Sequence, residues 1–292
     1  IGATGMVGQR FTLLLENHPW FEVTVLAASK RSAGKTYGET VEGRWHMTAP
    51  LPEKYKDMVI VDAENVEEVA SQVDFCFCAV NMKKDEIRDL EDRYAKAECP
   101  IVSNNSAHRF TDDVPMVIPE INADHIKIID AQRKRLGTKR GFVAVKSNCS
   151  LQSYVPAIHP LKALGVDKVL ACTYQAISGA GKTFETMPEI IDNVIPYIGG
   201  EEEKSEQEPL KIWGHIEGNR IVSILGPNGG GKTTLLRCLC NLHRPQEGSI
   251  YVGDTDVLTL SGRELAQHIG YVPQSSKEFA YDLDESVFVE LG

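Results

Sequence analysis

Short apolar runs bounded by glycine or polar turns set the rhythm of the first 130 positions. "VTVLAA" (23–28), "DMVIVDA" (57–63), "VDFCFCAV" (73–80) and "CPIVSNN" (99–105) each predict a strand that ends in a loop. Between some of them lie stretches that predict helices, such as "VGQRFTLLLENH" (7–18) and "MKKDEIRDLEDRYAKA" (82–97). Strand and helix in alternation is the pattern of a parallel sheet covered by helices.

The texture changes near residue 136. "GFVAVKSNCSLQSYVPAIHPLKALG" predicts strand, turn and helix, and "VDKVLACTYQAISGAG" predicts a strand feeding a glycine-rich loop. "GGEEEKSEQEPLKIWG" (199–214) predicts a charged stretch entering a helix. From 221 the alternation restarts with strand "IVSIL", a glycine loop, helix "KTTLLRCLCNL", strand "GSIYVG" and then "IGYVPQ". No internal repeat or low-complexity linker separates the parts. The expected organisation is three segments, 1–135, 136–221 and 222–292, the last two meeting without a spacer.

Composition narrows the class. The chain has 292 residues, 42% apolar and 25% charged, enough for a real core and without a disordered bias. Its net charge of -10 argues against a general nucleic-acid binder, which presents a basic face. No apolar run reaches the about 18 residues that span a bilayer. The seven cysteines follow no paired or zinc-type spacing, so reduced thiols, a cytoplasmic setting and no structural metal are expected.

The first chemistry lies at Gly2, Gly5 and Gly8, spaced G-x-x-G-x-x-G at the start of a helix. Glycines there let the backbone approach a pyrophosphate held by the helix N-terminus. A strand should precede them, yet only Ile1 does, so the first strand is expected to be truncated. The second strand ends in Ser29, Lys30, Arg31 and Ser32, not in an acid. An acid would bind a ribose 2′-hydroxyl; arginine and serine suit a 2′-phosphate, hence NADP. A solvated basic turn is the alternative. Further along, Cys149 in "SNCS" follows a strand and opens an apolar helix, where the helix dipole favours a thiolate. A buried structural thiol is the alternative there.

"GATGMVGQ", "RSAGK", "SNNSAHR", "SNCS", "YQAISGAG" and "EEEKSEQEPLKIWG" together, in this order, resemble the aspartate-semialdehyde dehydrogenase family over residues 1 to about 221, most nearly its archaeal and fungal branch. The resemblance implies a Rossmann-like NADP domain and part of an α+β catalytic domain in a homo-oligomer. It implies reductive dephosphorylation of aspartyl phosphate to aspartate semialdehyde and phosphate. Cys149 then matches the nucleophile, and Gln175 the residue that orients the acyl group. Arg109 matches a phosphate contact, and Glu208 and Lys211 an acid–base pair facing the substrate. Spacing alone equally allows an exposed i, i+3 pair for the last two. Cofactor contacts fall on Gly2, Thr4, Gly5, Met6, Val7, Ser29, Arg31, Ser32, Ser178 and Gly179. The family takes its acid–base histidine and a carboxylate-binding arginine from a segment well beyond 221; neither His159 nor His215 lies at that motif. Loss of the imidazole is expected to slow proton transfer by roughly 10²–10⁴-fold.

"GPNGGGKTT" (226–234) satisfies G-x-x-x-x-G-K-[ST] between a strand and a helix, a phosphate loop for Mg-ATP. With "IGYVPQ" it resembles the start of an ABC-transporter ATPase subunit of the iron–siderophore or cobalamin importer type, over about 218–292. Gly226, Asn228, Gly229, Gly231, Lys232, Thr233 and Thr234 are its phosphate residues. Thr233 and Gln274 match the Mg²⁺ ligand and the water-sensing glutamine. "SGAGKT" (178–183) fails the same pattern because Ala176 stands where glycine is needed. "LSGRE" (260–264) is not the signature motif, since it precedes Gln274; the signature and the remaining ATPase residues are expected past Gly292. Three readings stand: a dehydrogenase whose C-terminal part is replaced, an ATP-binding subunit working with a membrane permease, or a junction of two genes at "IEGNRIVSIL".

Overall fold

The computed structural model describes residues 1–164, 166, 169–222, 232–252 and 255–265. The chain divides into two compact units, 1–223 and 224–292.

The strands of the first unit are β1 Ala27–Ala28, β2 Val61–Asp62, β3 Cys76–Cys78, β4 Ile101–Ser103, β5 Val143–Val145, β6 His215–Glu217 and β7 Arg220–Val222. Its α-helices are α1 Met6–Leu15, α2 Tyr37–Val41, α3 Glu53–Lys56, α4 Val66–Ala70, α5 Lys84–Lys96, α6 Pro119–Asn122, α7 Ile129–Leu136, α8 Leu151–Ile158 and α9 Glu201–Ile212. The second unit contributes α10 Lys232–Leu239, α11 Gly262–Leu265 and a short hairpin of β8 Tyr251–Val252 and β9 Thr255–Asp256.

Residues 1–3 join two groups of parallel strands into one sheet. β1 pairs with β2, and β3, β4 and β5 pair in that order. Between the groups, Gly2 N–H donates to Ala27 O at 2.8 Å, and Ala79 N–H donates to Ile1 O at 2.9 Å. The Ile1 amine donates to Phe77 O at 2.7 Å, which completes a parallel ladder on that side. The order is therefore β2, β1, residues 1–3, β3, β4, β5, the doubly wound arrangement of a Rossmann-like fold. Ile1, all that the sequence sets ahead of the glycines, sits at the centre of the sheet.

Buried strands explain the apolar runs. Ala27, Cys76, Cys78, Ile101, Val143 and Val145 share one core with Leu90, Tyr94, Leu151, Val155 and Ile212. A second cluster of Ala3, Leu26, Ala28, Tyr37, Val41, Tyr55 and Ile60 lies toward β1. β5 shows that the sheet continues past residue 135, since Val143–Val145 pairs with Ile101–Ser103. The turn before β5 is clamped by Glu98, whose carboxylate accepts N–H bonds from Lys139, Arg140 and Gly141.

The strand expected within 166–173 is not formed among the described residues, and 169–176 carry no regular structure. Leu170 and Tyr174 are almost fully exposed there. A strand needs a paired neighbour for its backbone groups, and no described segment pairs with this one. Strand "IVSIL" is described only to Val222, where Arg220–Val222 pairs antiparallel with His215–Glu217. "IGYVPQ" lies outside the described residues. Among the described residues no helix is long and apolar enough to cross a membrane, and no cluster of metal-ligating side chains is present.

Candidate active site

Because the sheet is parallel, the loops after its strands gather at one edge. The glycine loop follows residues 1–3, the basic turn follows β1, "NNSAHR" follows β4, and Cys149 follows β5.

The three glycines do different work. Gly2 has φ +83°, and a Cβ there would stand 2.5 Å from Ala79 O. A Cβ on Gly8 would stand 2.3 Å from Gly2 O. Gly2 is demanded by the close approach of the Ala79 backbone, and Gly8 by close packing of α1 on residues 2–3. Gly5 is different: its nearest neighbour would be an ordinary 3.7 Å away, and the residue is exposed. It caps α1, which has no side-chain cap and no acid in its first turn. Free amides with open space above them fit a pyrophosphate. Gln9, fully buried in α1, steadies the loop by donating to Thr4 O at 3.1 Å and Arg44 O at 2.9 Å. Met6 is half-buried and Val7 exposed at the head of the helix. Ser29, Lys30 and Arg31 are exposed in a turn closed by Ser32 N–H to Ser29 O at 2.8 Å. That turn holds no acid and fits an anionic 2′ substituent.

Cys149 is exposed, while its neighbours Ser147, Asn148 and Ser150 are buried. The turn is fixed from both sides. Asn148 N–H donates to Glu208 Oε2 at 2.6 Å, and Asn148 Nδ2 donates to Glu201 Oε1 at 2.8 Å. Asn148 Oδ1 accepts from Ser150 N–H at 2.9 Å, leading directly into α8. A thiol presented to solvent on a rigid turn beside a helix start is the geometry of a nucleophile. The buried-thiol alternative does not apply to it.

Glu208 and Lys211 are both buried on α9, not an exposed pair on its surface. Glu208 Oε1 accepts from Arg109 Nη1 at 2.8 Å, inside a buried ion pair. Arg109 also donates to Lys146 O at 3.1 Å and Asn104 O at 3.5 Å. Three of its five donors are thus engaged. Lys211 Nζ donates to Arg109 O and Thr111 O, each at 2.8 Å. Burial draws its ammonium down to about 8, against the opposing pull of Asp112 and Asp113. Burial and the Arg109 charge likewise lower Lys146, opposed by Cys149 and Glu208.

Gln175 is brought to the same place: its Nε2 donates to Glu201 Oε2 at 3.1 Å. Ser178 and Gly179 are exposed in a 3₁₀ turn, Ile177–Ala180, with no hydrogen bond to the glycine loop among the described residues. His159 accepts the Trp213 indole N–H at 3.1 Å and His215 lies exposed on β6, so neither adjoins Cys149 through any described bond. Sequence reasoning missed Glu201 and Asn148. "EEE" at a helix start looks like solvated acid complementing the helix dipole, and nothing in its spacing singles out the first glutamate.

Of the nucleotide loop at 226–234, Gly226, Asn228, Gly229 and Gly231 lie outside the described residues, as does Gln274. Lys232 and Thr233 open α10, and Thr234 is exposed.

Fold and site together define a Rossmann-like nicotinamide-dinucleotide domain followed by a dehydrogenase dimerisation region. Two family models agree: "Semialdehyde dehydrogenase, NAD binding domain" matches residues 1–129, and "Semialdehyde dehydrogenase, dimerisation domain" matches 158–228. More particularly, the chain is similar to aspartate-semialdehyde dehydrogenases. It is 43% identical to that of Archaeoglobus fulgidus over 223 residues, 76% of this chain and 62% of the relative. It is 39% identical to that of Saccharomyces cerevisiae over 236 residues, 78% of this chain and 63% of the relative. Among solved structures, aspartate semialdehyde dehydrogenase with NADP from Candida albicans superposes with TM-score 0.67 at 37% identity, covering 79% of this chain and 63% of that one. The chain thus spans about three fifths of the length of these relatives. A third family model, "ABC transporter", matches residues 211–284.

Proposed function

We propose that residues 1–221 carry the activity of an NADP-dependent aspartate-semialdehyde dehydrogenase. They comprise an NADP-binding domain to about 135 and an incomplete catalytic and dimerisation domain from 136. The observation that carries this reading is the exposed Cys149 on a braced turn at the sheet edge that also holds the glycine loop. NADP supplies or accepts the hydride. The uncapped amides at the start of α1 would hold its pyrophosphate, and Ser29, Arg31 and Ser32 its 2′-phosphate. Family resemblance supports a role for Met6, Val7, Ser178 and Gly179 against the rest of the cofactor. Cys149 attacks the acyl carbon of aspartyl phosphate and expels phosphate, leaving a thioester on sulfur. Gln175 orients that acyl group. Arg109 and the Lys211 ammonium neutralise phosphate, and Glu208 holds Arg109 in place and faces the substrate amine. In this reading the enzyme works as a homo-oligomer in the cytoplasm, and its similarity to archaeal and fungal relatives supports an archaeal or fungal type of branch.

The test is phosphate-dependent NADP reduction with aspartate semialdehyde. The chain is expected to turn over, and Cys149→Ser to lose at least about a thousandfold, as loss of a nucleophile does. A silent wild-type chain, or an active Cys149→Ser, overturns the reading.

A second reading rests on the ABC-transporter match at 211–284, which overlaps the dimerisation match at 158–228. We infer that residues 222–292 are an ATPase fragment running from the phosphate loop to Gln274. It would bind Mg-ATP through Lys232, Thr233 and Gln274. It stands where the dehydrogenase family has its histidine segment, so turnover should lie roughly 10²–10⁴-fold below that of an intact relative. Source DNA sequenced across 216–225 decides whether this is one gene. An unbroken frame in independent clones supports a fusion, and two separate genes make the junction an artefact. A membrane permease becomes a partner only for the ATPase part.

A further inference from the structure

We propose that Glu201 is a positioning residue for Cys149 and Gln175, an inference that rests on the dehydrogenase reading. One carboxylate, at the first residue of α9, collects four donors. They are Asn148 Nδ2 at 2.8 Å, Lys204 Nζ at 2.7 Å, Gln175 Nε2 at 3.1 Å and Ser150 Oγ at 3.3 Å. Asn148 and Ser150 are the residues on either side of Cys149. The same group therefore holds both flanks of the nucleophile and the amide that orients its acyl product. These partners lie 26 to 53 positions away along the chain, apart from the local Lys204.

The chemistry suits this task. A carboxylate is acceptor-only, so these donors can converge on it, the Ser150 hydroxyl sharing its one proton with Asn148 Oδ1 at 3.0 Å. Burial alone would raise the carboxyl, yet the bonds from Lys204, Gln175 and Asn148 outweigh it and hold Glu201 below the usual carboxylate range. The group is ionised at neutral pH. The charges around the turn are Lys204 beside Glu201, and Arg109, Lys146 and Glu208 on the other side. Glu201 touches neither the acyl carbon nor the hydride; it acts by fixing groups that do. Misplacing reacting groups by an ångström costs on the order of a hundredfold.

The experiment compares wild type with Glu201→Gln and Glu201→Asp in the full chain. Glutamine keeps the shape but turns an N–H₂ donor toward groups that are themselves donors. Expected for Glu201→Gln is a kcat fall of at least about tenfold with KM for the semialdehyde within about threefold, because chemistry and not ground-state binding is disturbed. Glu201→Asp, which keeps the charge and both acceptors, should recover most of the loss. An arm free of substrate measures iodoacetamide alkylation of Cys149 against pH. Removing a negative charge beside the turn should shift that profile to lower pH in Glu201→Gln but not in Glu201→Asp. Unchanged kcat together with an unmoved alkylation profile overturns the proposal. So does an equal loss in both variants that simply tracks a lowered melting temperature. A wild-type chain that reduces no NADP refutes the dehydrogenase reading, and the alkylation arm alone then decides the role of Glu201.

Discussion

Burial turns Lys211 into a group that titrates near neutrality. Its ammonium sits inside the first unit with two carbonyls as partners, and desolvation draws it down to about 8. The unfolded chain keeps an ordinary lysine that holds its proton to about 10.4. Between these values the unfolded state binds more protons, so stability rises with pH across that window and is lowest, in this respect, below pH 8. Urea unfolding of wild type against Lys211→Met should show the wild type gaining on the order of 3 kcal/mol between pH 8 and 10.4. A constant difference across that range would show an unshifted lysine. In turnover, the phosphate contact proposed for the charged form should weaken as pH rises through about 8, and Lys211→Arg should remove that limb. Cys149 makes the complementary point. Exposure is useful here because the atoms around it are buried and bonded.

At the scale of the element, the glycine loop and α1 separate packing from binding. Gly8 lets α1 approach Gly2 and Ala3 so closely that a Cβ would sit 2.3 to 2.6 Å from backbone atoms. Backbone cannot swing aside as a side chain can, so Gly8→Ala should cost about 1–3 kcal/mol, as overpacking does. Gly5 has φ -77° and ψ 165°, a conformation open to alanine, with its nearest contact at 3.7 Å. Gly5→Ala should therefore keep its melting temperature within a few degrees, while NADP binding weakens by at least about tenfold because a methyl occupies the approach of the pyrophosphate. Fluorescence titration with NADPH and thermal unfolding together check both variants. Equal affinity for wild type and Gly5→Ala would remove the loop from the cofactor site. On helix α9, Glu201 and the fully buried Glu208 both bond the Cys149 turn, while Pro209, Lys211 and Ile212 are buried beside Glu208.

At the scale of the whole molecule, the chain divides into units at 223 and 224, and the family models change over the same stretch. The two nucleotide motifs therefore belong to different compact bodies. NADP and ATP should bind independently. NADPH affinity measured with and without about millimolar Mg-ATP should agree within about twofold, since no coupling free energy is expected between unlinked sites. Lys232→Ala should abolish ATP binding and leave NADPH affinity unchanged. ATP hydrolysis lost in Lys232→Ala would instead support the transport-motor reading, and altered NADPH affinity would reveal coupling.

Much of the first unit was legible because its signals are local. Buried parallel strands must be apolar, a pyrophosphate loop needs glycines at fixed spacing, and a helix-start cysteine stands out among polar neighbours. β3, β4, α1 and α5 fall where the apolar pattern set them. The strand expected near 170 failed because strand formation depends on a neighbour that the run itself does not specify. Likewise, i, i+3 spacing could not tell whether Glu208 and Lys211 face water or Arg109. Glu201 carried no signal, since its partners lie at 148, 150 and 175 and only folding brings them to one carboxylate. The sequence by itself determined the glycine loop, the helix-start cysteine and the family resemblance, all written in contiguous residues. Tertiary structure alone decided burial, the placement of residues 1–3 at the sheet centre and the bracing of the Cys149 turn. Each of those depends on distant segments sharing a low-dielectric interior where polar groups must find partners.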